Sequence, residues 1–183
     1  MKYNLLKIYT LLLVFTPSYS QASDPGFSID QEFKVRQLKD KFTKRYGMKI
    51  KIKRDNGSLA VNILDSGFYV QDWRITKGGA DLVKQISAAL CISEKDCEVE
   101  LKTHHSLPGE TARDQLKKTQ YKMSSVSLQL LQTKISPKHL TQVSLGGSDP
   151  LIKVMPDDPV SADNANELNT RTEITFTPKR GKL

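Results

Sequence analysis

The stretch CEVELKTHHSLPGET, Cys97 to Thr111, gathers the residues of this chain best suited to chemistry. It alternates like a strand through Thr103 and then presents His104 and His105 side by side. Adjacent histidines suggest a metal centre or a general base. As ligands of one metal they are badly placed, because neighbours on an extended chain point to opposite faces. His139 lies on a different loop, and no carboxylate stands at ligand spacing beside the pair. Neither a metal nor a cofactor is expected. No Ser/His/Asp or Cys/His constellation is recognisable and the acidic residues are scattered, so no catalytic residue is assigned and no enzyme is expected. The other role open to the histidines is to line the rim of a binding pocket.

Cys91 and Cys97 are the only cysteines. In an oxidising compartment they would bridge a helix end to the start of the quoted strand. So short a loop contributes at most about 2–3 kcal/mol. Two free buried thiols are the alternative, since spacing does not establish bond geometry.

The compartment is written at the N-terminus. MKYNLLKIYTLLLVFTPSYSQA carries Lys2 and Lys7, an apolar run from Ile8 to Phe15, and then Pro17 and small residues. This is the layout of a secretory signal peptide cut after Ala22, or else after Ser20. The run is shorter than the ~20 residues that a membrane-spanning helix needs, so the mature chain is expected to be periplasmic, with no transmembrane segment. Losing Lys2 and Lys7 lowers the formal net charge from +8 to +6. A basic surface of this kind suits an anionic polymer, nucleic acid or cell wall, and export argues against nucleic acid. Plain solubility is the other use of such charge.

The elements that must position these residues follow in order. Ser28 with Gln31 reads as a capping box, Ile29, Phe33, Leu38, Phe42 and Tyr46 as an amphipathic stripe, and Gly47 as a helix end. MKIKIKRDNGSLAVNIL is a hairpin turning at Asn56-Gly57, its lysine row on the solvated face. A helix carrying Leu82, Val83, Ile86 and Leu90 precedes the quoted strand. A polar loop then leads to a long helix with Leu116, Met123, Val126 and Leu130 inside. A loop, a short strand, a polar loop from about Pro156 to Leu168 and the strand TRTEITFTP complete the chain. The expected class is α+β, a mixed β-sheet with helices packed on one face, preceded by an N-terminal helix.

Four segments carry a family resemblance: LDSGFYVQDWRITKGGADLVKQIS, VELKTHHSLPGET, ISPKHLTQVSLGGSDPL and NTRTEITF. Their order and spacing resemble the OmpA-like domain, the cell-wall-binding module shared by OmpA and MotB, over Met48 to Pro178. The division implied is a signal peptide at 1–22, an N-terminal helix at 23–47, the OmpA-like domain at 48–178 and a basic tail at 179–183. The resemblance implies peptidoglycan as partner, held by an aspartate and an arginine that match the ammonium and carboxylate of diaminopimelate. The aspartate position falls on His105 and the arginine position on Lys122, or on Gln120 in an alternative register. Arg171 keeps the second arginine of the family's closing motif. A pocket of His105, Lys122 and Arg171 has no negative partner for an ammonium, so a degenerate site with weak wall affinity is expected. The chain is also similar to the small OmpA-like subunit (IcmN/DotK type) of type IVB (Dot/Icm) secretion systems. That likeness implies partners among envelope or secretion-complex proteins near the outer membrane.

Overall fold

The computed structural model describes residues 26–93, 96–151 and 165–179. The expected signal peptide, most of the loop after Pro156 and most of the basic tail lie outside the described residues.

Helix α1, Ile29–Tyr46, starts as its sequence prescribes. The Ser28 hydroxyl accepts from the Gln31 backbone N–H at 3.2 Å, and the Gln31 side-chain oxygen accepts from the Ser28 N–H at 3.0 Å. The box satisfies donors that a helix start leaves unpaired. Its buried side differs from the expected one. Val35 and Phe42 are buried, while Ile29 is 83% and Phe33 59% exposed. At 3.6 residues per turn those two project roughly 120–160° round the helix from Val35. The seam Val35, Leu38, Phe42 faces α2 (Lys77–Leu90), where the Gln31 amide donates to the carbonyls of Ala89 and Leu90 at 3.3 Å.

Strands β1 (Ile50–Asp55) and β2 (Ser58–Leu64) form the hairpin, paired from Ile50 with Ile63 to Asp55 with Ser58. Asn56 and Gly57 turn it with φ of 48° and 80°, the doubly left-handed turn that matches strand twist. Lys49, Lys51 and Lys53 are exposed.

The sheet order is β1-β2-β5-β3-β4. β3 (Cys97–His104) runs parallel to β4 (Leu140–Gly146), and β5 (Arg171–Pro178) runs antiparallel between β2 and β3. Helices α2 and α3 (Ala112–Leu131) cover one face, as an α+β mixed sheet requires. Leu82, Ile86, Leu90, Val126 and Leu130 from the helices meet Val61, Leu101, Ile174 and Phe176 from the sheet, all at 2% exposure or less. Each such side chain contributes roughly 1.5–3 kcal/mol by leaving water.

Two local findings bear on the site. Leu116, expected inside, is 42% exposed; α3 turns Thr119, Lys122, Met123 and Val126 inward instead. Cys91 and Cys97 are joined, with Cα atoms 5.5 Å apart, and so tie α2 to the start of β3.

Candidate functional site

The C-terminal end of β3 delivers its two histidines to opposite sides. Thr103 points to the helices, its hydroxyl donating to the Thr119 carbonyl at 2.9 Å. His104, next along, turns to the other face, with its Nε2 3.4 Å from Glu173 Oε1. His105 returns to the helix side, its ring against Lys122 and Trp73, while its backbone N–H donates to the Gly146 carbonyl at 2.9 Å. Period-two alternation is enough to separate them.

On the helix side Lys122 is wholly buried. Its ammonium forms an ion pair with Asp65, donates to the His104 carbonyl at 3.1 Å, and lies 3.2 Å from His105 Nδ1. The Trp73 ring sits over it at 4.7 Å and the Tyr69 ring at 5.7 Å. An ammonium only donates, so His105 Nδ1 accepts and Nε2 carries the proton. That Nε2–H donates to Glu110 Oε2 at 2.9 Å. Glu110 is paired with Lys118 as well. A chain of ion pairs and hydrogen bonds thus runs outward from Asp65 through Lys122, the neutral His105 ring and Glu110 to Lys118.

Electrostatics follow from burial. Desolvation pushes the Asp65 carboxyl up to about 6 against the pull of Lys122. Burial lowers the Lys122 ammonium, and Asp65 draws it partly back. His105 is held down at about 4 by burial and then by the Lys122 charge. Burial and the Asp65 charge hold the Tyr69 phenol well above its ordinary range, and its hydroxyl lies 2.6 Å from Thr172 Oγ1.

Outside this relay opens a cleft of ≈ 1030 Å³, lined by Trp73, Glu110, Asp114, Lys117, Lys118 and Tyr121 among others. Trp73 closes a single turn of 3₁₀ helix, Gln71–Trp73, with φ of 60°. A bulky residue in the left-handed region costs of order 1–3 kcal/mol, so the surroundings must impose it. Its ring meets His105 edge-on at 4.8 Å and covers Lys122.

The structure brings His105 and Lys122 together. It does not bring Arg171 to them. Arg171 Nε donates to Glu173 Oε1 at 2.6 Å, and its Nη2 reaches the Asp149 carbonyl at 3.5 Å, on the His104 side of the sheet. Its neighbour Thr172 is the one that faces Tyr69. The expected want of a negative partner is corrected by Glu110, which borders the cleft; Asp65 is a second carboxylate beside the pair but is paired with Lys122. Glu110 was open to sequence reasoning, within the quoted loop just after the histidines. Asp65 and Trp73 carried no local signal, since each matters only through where α3 lands. Among the described residues no three His, Cys, Asp or Glu side chains are grouped to hold a metal, and no helix is long and apolar enough to cross a membrane.

No protein-family model matches the sequence, and no curated protein matches it. Solved structures do match in fold. A MotB-like protein from Desulfovibrio vulgaris superposes with a TM-score of 0.58 at 17% identity, over 81% of this chain and 99% of that one. The cell wall anchor of the type VI secretion system from Pseudomonas aeruginosa gives 0.59 at 17% identity, over 80% and 97%. The periplasmic domain of Helicobacter pylori MotB gives 0.55 at 14% identity, over 73% and 85%. The fold is the OmpA/MotB one. Identities this low establish that architecture and leave function to be argued from the site.

Proposed function

We propose that the protein is a non-catalytic, exported periplasmic component of the cell envelope that associates weakly with peptidoglycan. The grip is a degenerate diaminopimelate pocket at the junction of β3 and α3. One observation carries this reading. A charged, solvent-open cleft is walled by Trp73, which packs on Lys122, and by Glu110, which bonds His105, so it lies one layer outside the two positions assigned to the ligand grip, in a fold shared with a cell wall anchor.

The degeneracy takes a specific form. Lys122 is committed to Asp65 and lies beneath Trp73, so it sets the field of the cleft rather than touching a ligand. The groups left to meet a zwitterion are Glu110, for the ammonium, and Lys118, for the carboxylate. They already pair with each other. A ligand must exchange one partly exposed ion pair for another, and such exchanges yield only about 0.2–1 kcal/mol per contact. Co-sedimentation of the exported protein with diaminopimelate-type sacculi tests this. Weak binding that free diaminopimelate competes away and salt diminishes is expected. No sedimentation at low salt contradicts it.

A second reading is favoured by the outward Ile29 and Phe33 of α1, which suit a protein contact better than a solvated helix. In it the chain is a structural subunit of an outer-membrane-associated secretion machine of the type IVB kind, with little wall affinity of its own. A stoichiometric envelope complex that survives purification and is lost on Phe33→Asp supports that role. A monomer in detergent extracts at native abundance counts against it.

A further inference from the structure

We propose that the open edge of β1 is a docking site for an acidic, extended segment of another protein, which joins the sheet as an added strand; this is independent of the wall-binding reading. β1 is the outermost strand at one end of the sheet, and among the described residues it pairs with β2 alone. The register says which of its backbone groups are spare. The Leu64 N–H donates to the Lys49 carbonyl at 3.0 Å, so Lys49, Lys51 and Lys53 turn their N–H and C=O groups towards β2. Ile50, Ile52 and Arg54 alternate with them and turn theirs outward. A row of donors and acceptors therefore lines the edge, the template that strand addition completes.

The side chains beside that edge specify the occupant. Ile50 is buried towards the helices, so period-two alternation sends Lys49, Lys51 and Lys53 to the opposite face, where all three are exposed. Lys49 pairs with Glu167, whereas Lys51 and Lys53 meet no carboxylate among the described residues. Where β1 begins, a groove of ≈ 450 Å³ is lined by Met48, Ile50, Leu64 and Leu168, with Lys39 of α1 and Lys51. An added strand alternates in step with β1. Its residues opposite Lys51 and Lys53 stand beside the lysines, and those opposite Ile50 and Ile52 turn towards α1. The fitting segment is therefore acidic at every second position and apolar or β-branched between.

Lysines on an edge strand also guard it against self-pairing. Two copies joined edge to edge would set one lysine row against another, and like charges directly opposite are destabilising. The row that refuses a second copy accepts an acidic strand, so exclusion and attraction select the same partner chemistry.

The experiment titrates protein purified from the periplasm after export with two dye-labelled peptides, Glu-Val-Glu-Val-Glu-Val-Glu and its analogue with lysine for every glutamate, and follows amide exchange by NMR. The acidic peptide should bind saturably and about tenfold or more tighter than the lysine analogue. Lys51→Glu combined with Lys53→Glu, both at exposed positions, should reverse that preference without changing the unfolding midpoint by more than a surface substitution does. In the free protein the amides of Ile50, Ile52 and Arg54 should exchange fast while those of Lys51 and Lys53 are already protected, and the acidic peptide should slow the first set. That alternating pattern is the signature of strand addition, which a merely electrostatic contact does not produce. Binding of the acidic peptide with no added protection at Ile50, Ile52 and Arg54 overturns the added strand. So does protection of those amides before any peptide is present, since the edge is then already covered by this chain or by a second copy. Failure of the acidic peptide to bind overturns the docking site outright, and none of these outcomes bears on whether sacculi are bound.

Discussion

His104 and His105 are chemically equivalent neighbours with almost matching company. Each is buried, and each sits between one glutamate and one strong cation: Glu173 and Arg171 for His104, Glu110 and Lys122 for His105. Burial first, and then the nearby cation, hold both at about 4. Yet one cluster lies against the sheet beside the turn at Asp149, and the other forms the wall of an open cleft. The same chemistry reads as structural on one face and as a candidate site on the other. Residue type does not separate the two. What separates them is whether the charge chain ends at the surface of a hollow.

The largest effect that sharpens this contrast is at Lys122. Lys122→Met leaves the Asp65 carboxylate buried without its partner and should cost about 3–5 kcal/mol in denaturant unfolding. Adding Asp65→Asn should recover most of that loss. A double variant no better than the single one would mean that the pair is not coupled.

Next comes pH. In the unfolded chain both histidines protonate near 6.5, whereas in the folded chain they resist until about 4. Between those values the unfolded state binds more protons, so stability falls as pH drops from 6.5 towards 4. Asp65, raised to about 6 from 3.8, takes up its proton first in the folded state and offsets part of the fall between 6 and 3.8. Two groups outweigh one. Urea midpoints at pH 7 and pH 4.5 should show a net loss, flattened by His104→Gln and by His105→Gln alike. A midpoint that rises on acidification breaks the equivalence.

Smaller is the difference in binding. Glu110→Gln should weaken sacculus co-sedimentation about threefold to fivefold, while Glu173→Gln should leave it unchanged. Equal losses from both would erase the distinction between the two faces. Smallest is the check on α1. Phe33→Ser should shift stability by no more than about 0.5 kcal/mol, whereas Val35→Ala should cost about 2 kcal/mol through lost burial and a cavity.

Much of the fold was legible because its signals are local. The Ser28/Gln31 box, the Asn56-Gly57 turn and the alternation of Val99, Leu101 and Thr103 each act within a few residues of themselves. The stripes of α1 and α3 were only partly legible. Ile29, Phe33 and Leu116 fit a helical period, but an apolar period does not say which arc meets the sheet and which meets water. In the site, His105 and Lys122 were reached through family spacing, and the structure sets them in contact. Arg171 was named on the same ground, and the parity of β5 takes it to the far face. Asp65 carries no such signal, because an aspartate after a strand is ordinarily a turn residue.

The sequence by itself determined the order of the main elements, the cap of α1 and the hairpin turn, and it made a bridge between two cysteines six residues apart the expected pairing. Those depend on backbone propensity and short-range periodicity, which neighbouring residues specify. Only the tertiary structure decided that Lys122 finds Asp65, that Trp73 roofs them, and that Glu110 carries the charge outward. Each of these joins residues from separate elements, and a buried charge selects its partner by three-dimensional reach in a medium that punishes leaving it alone.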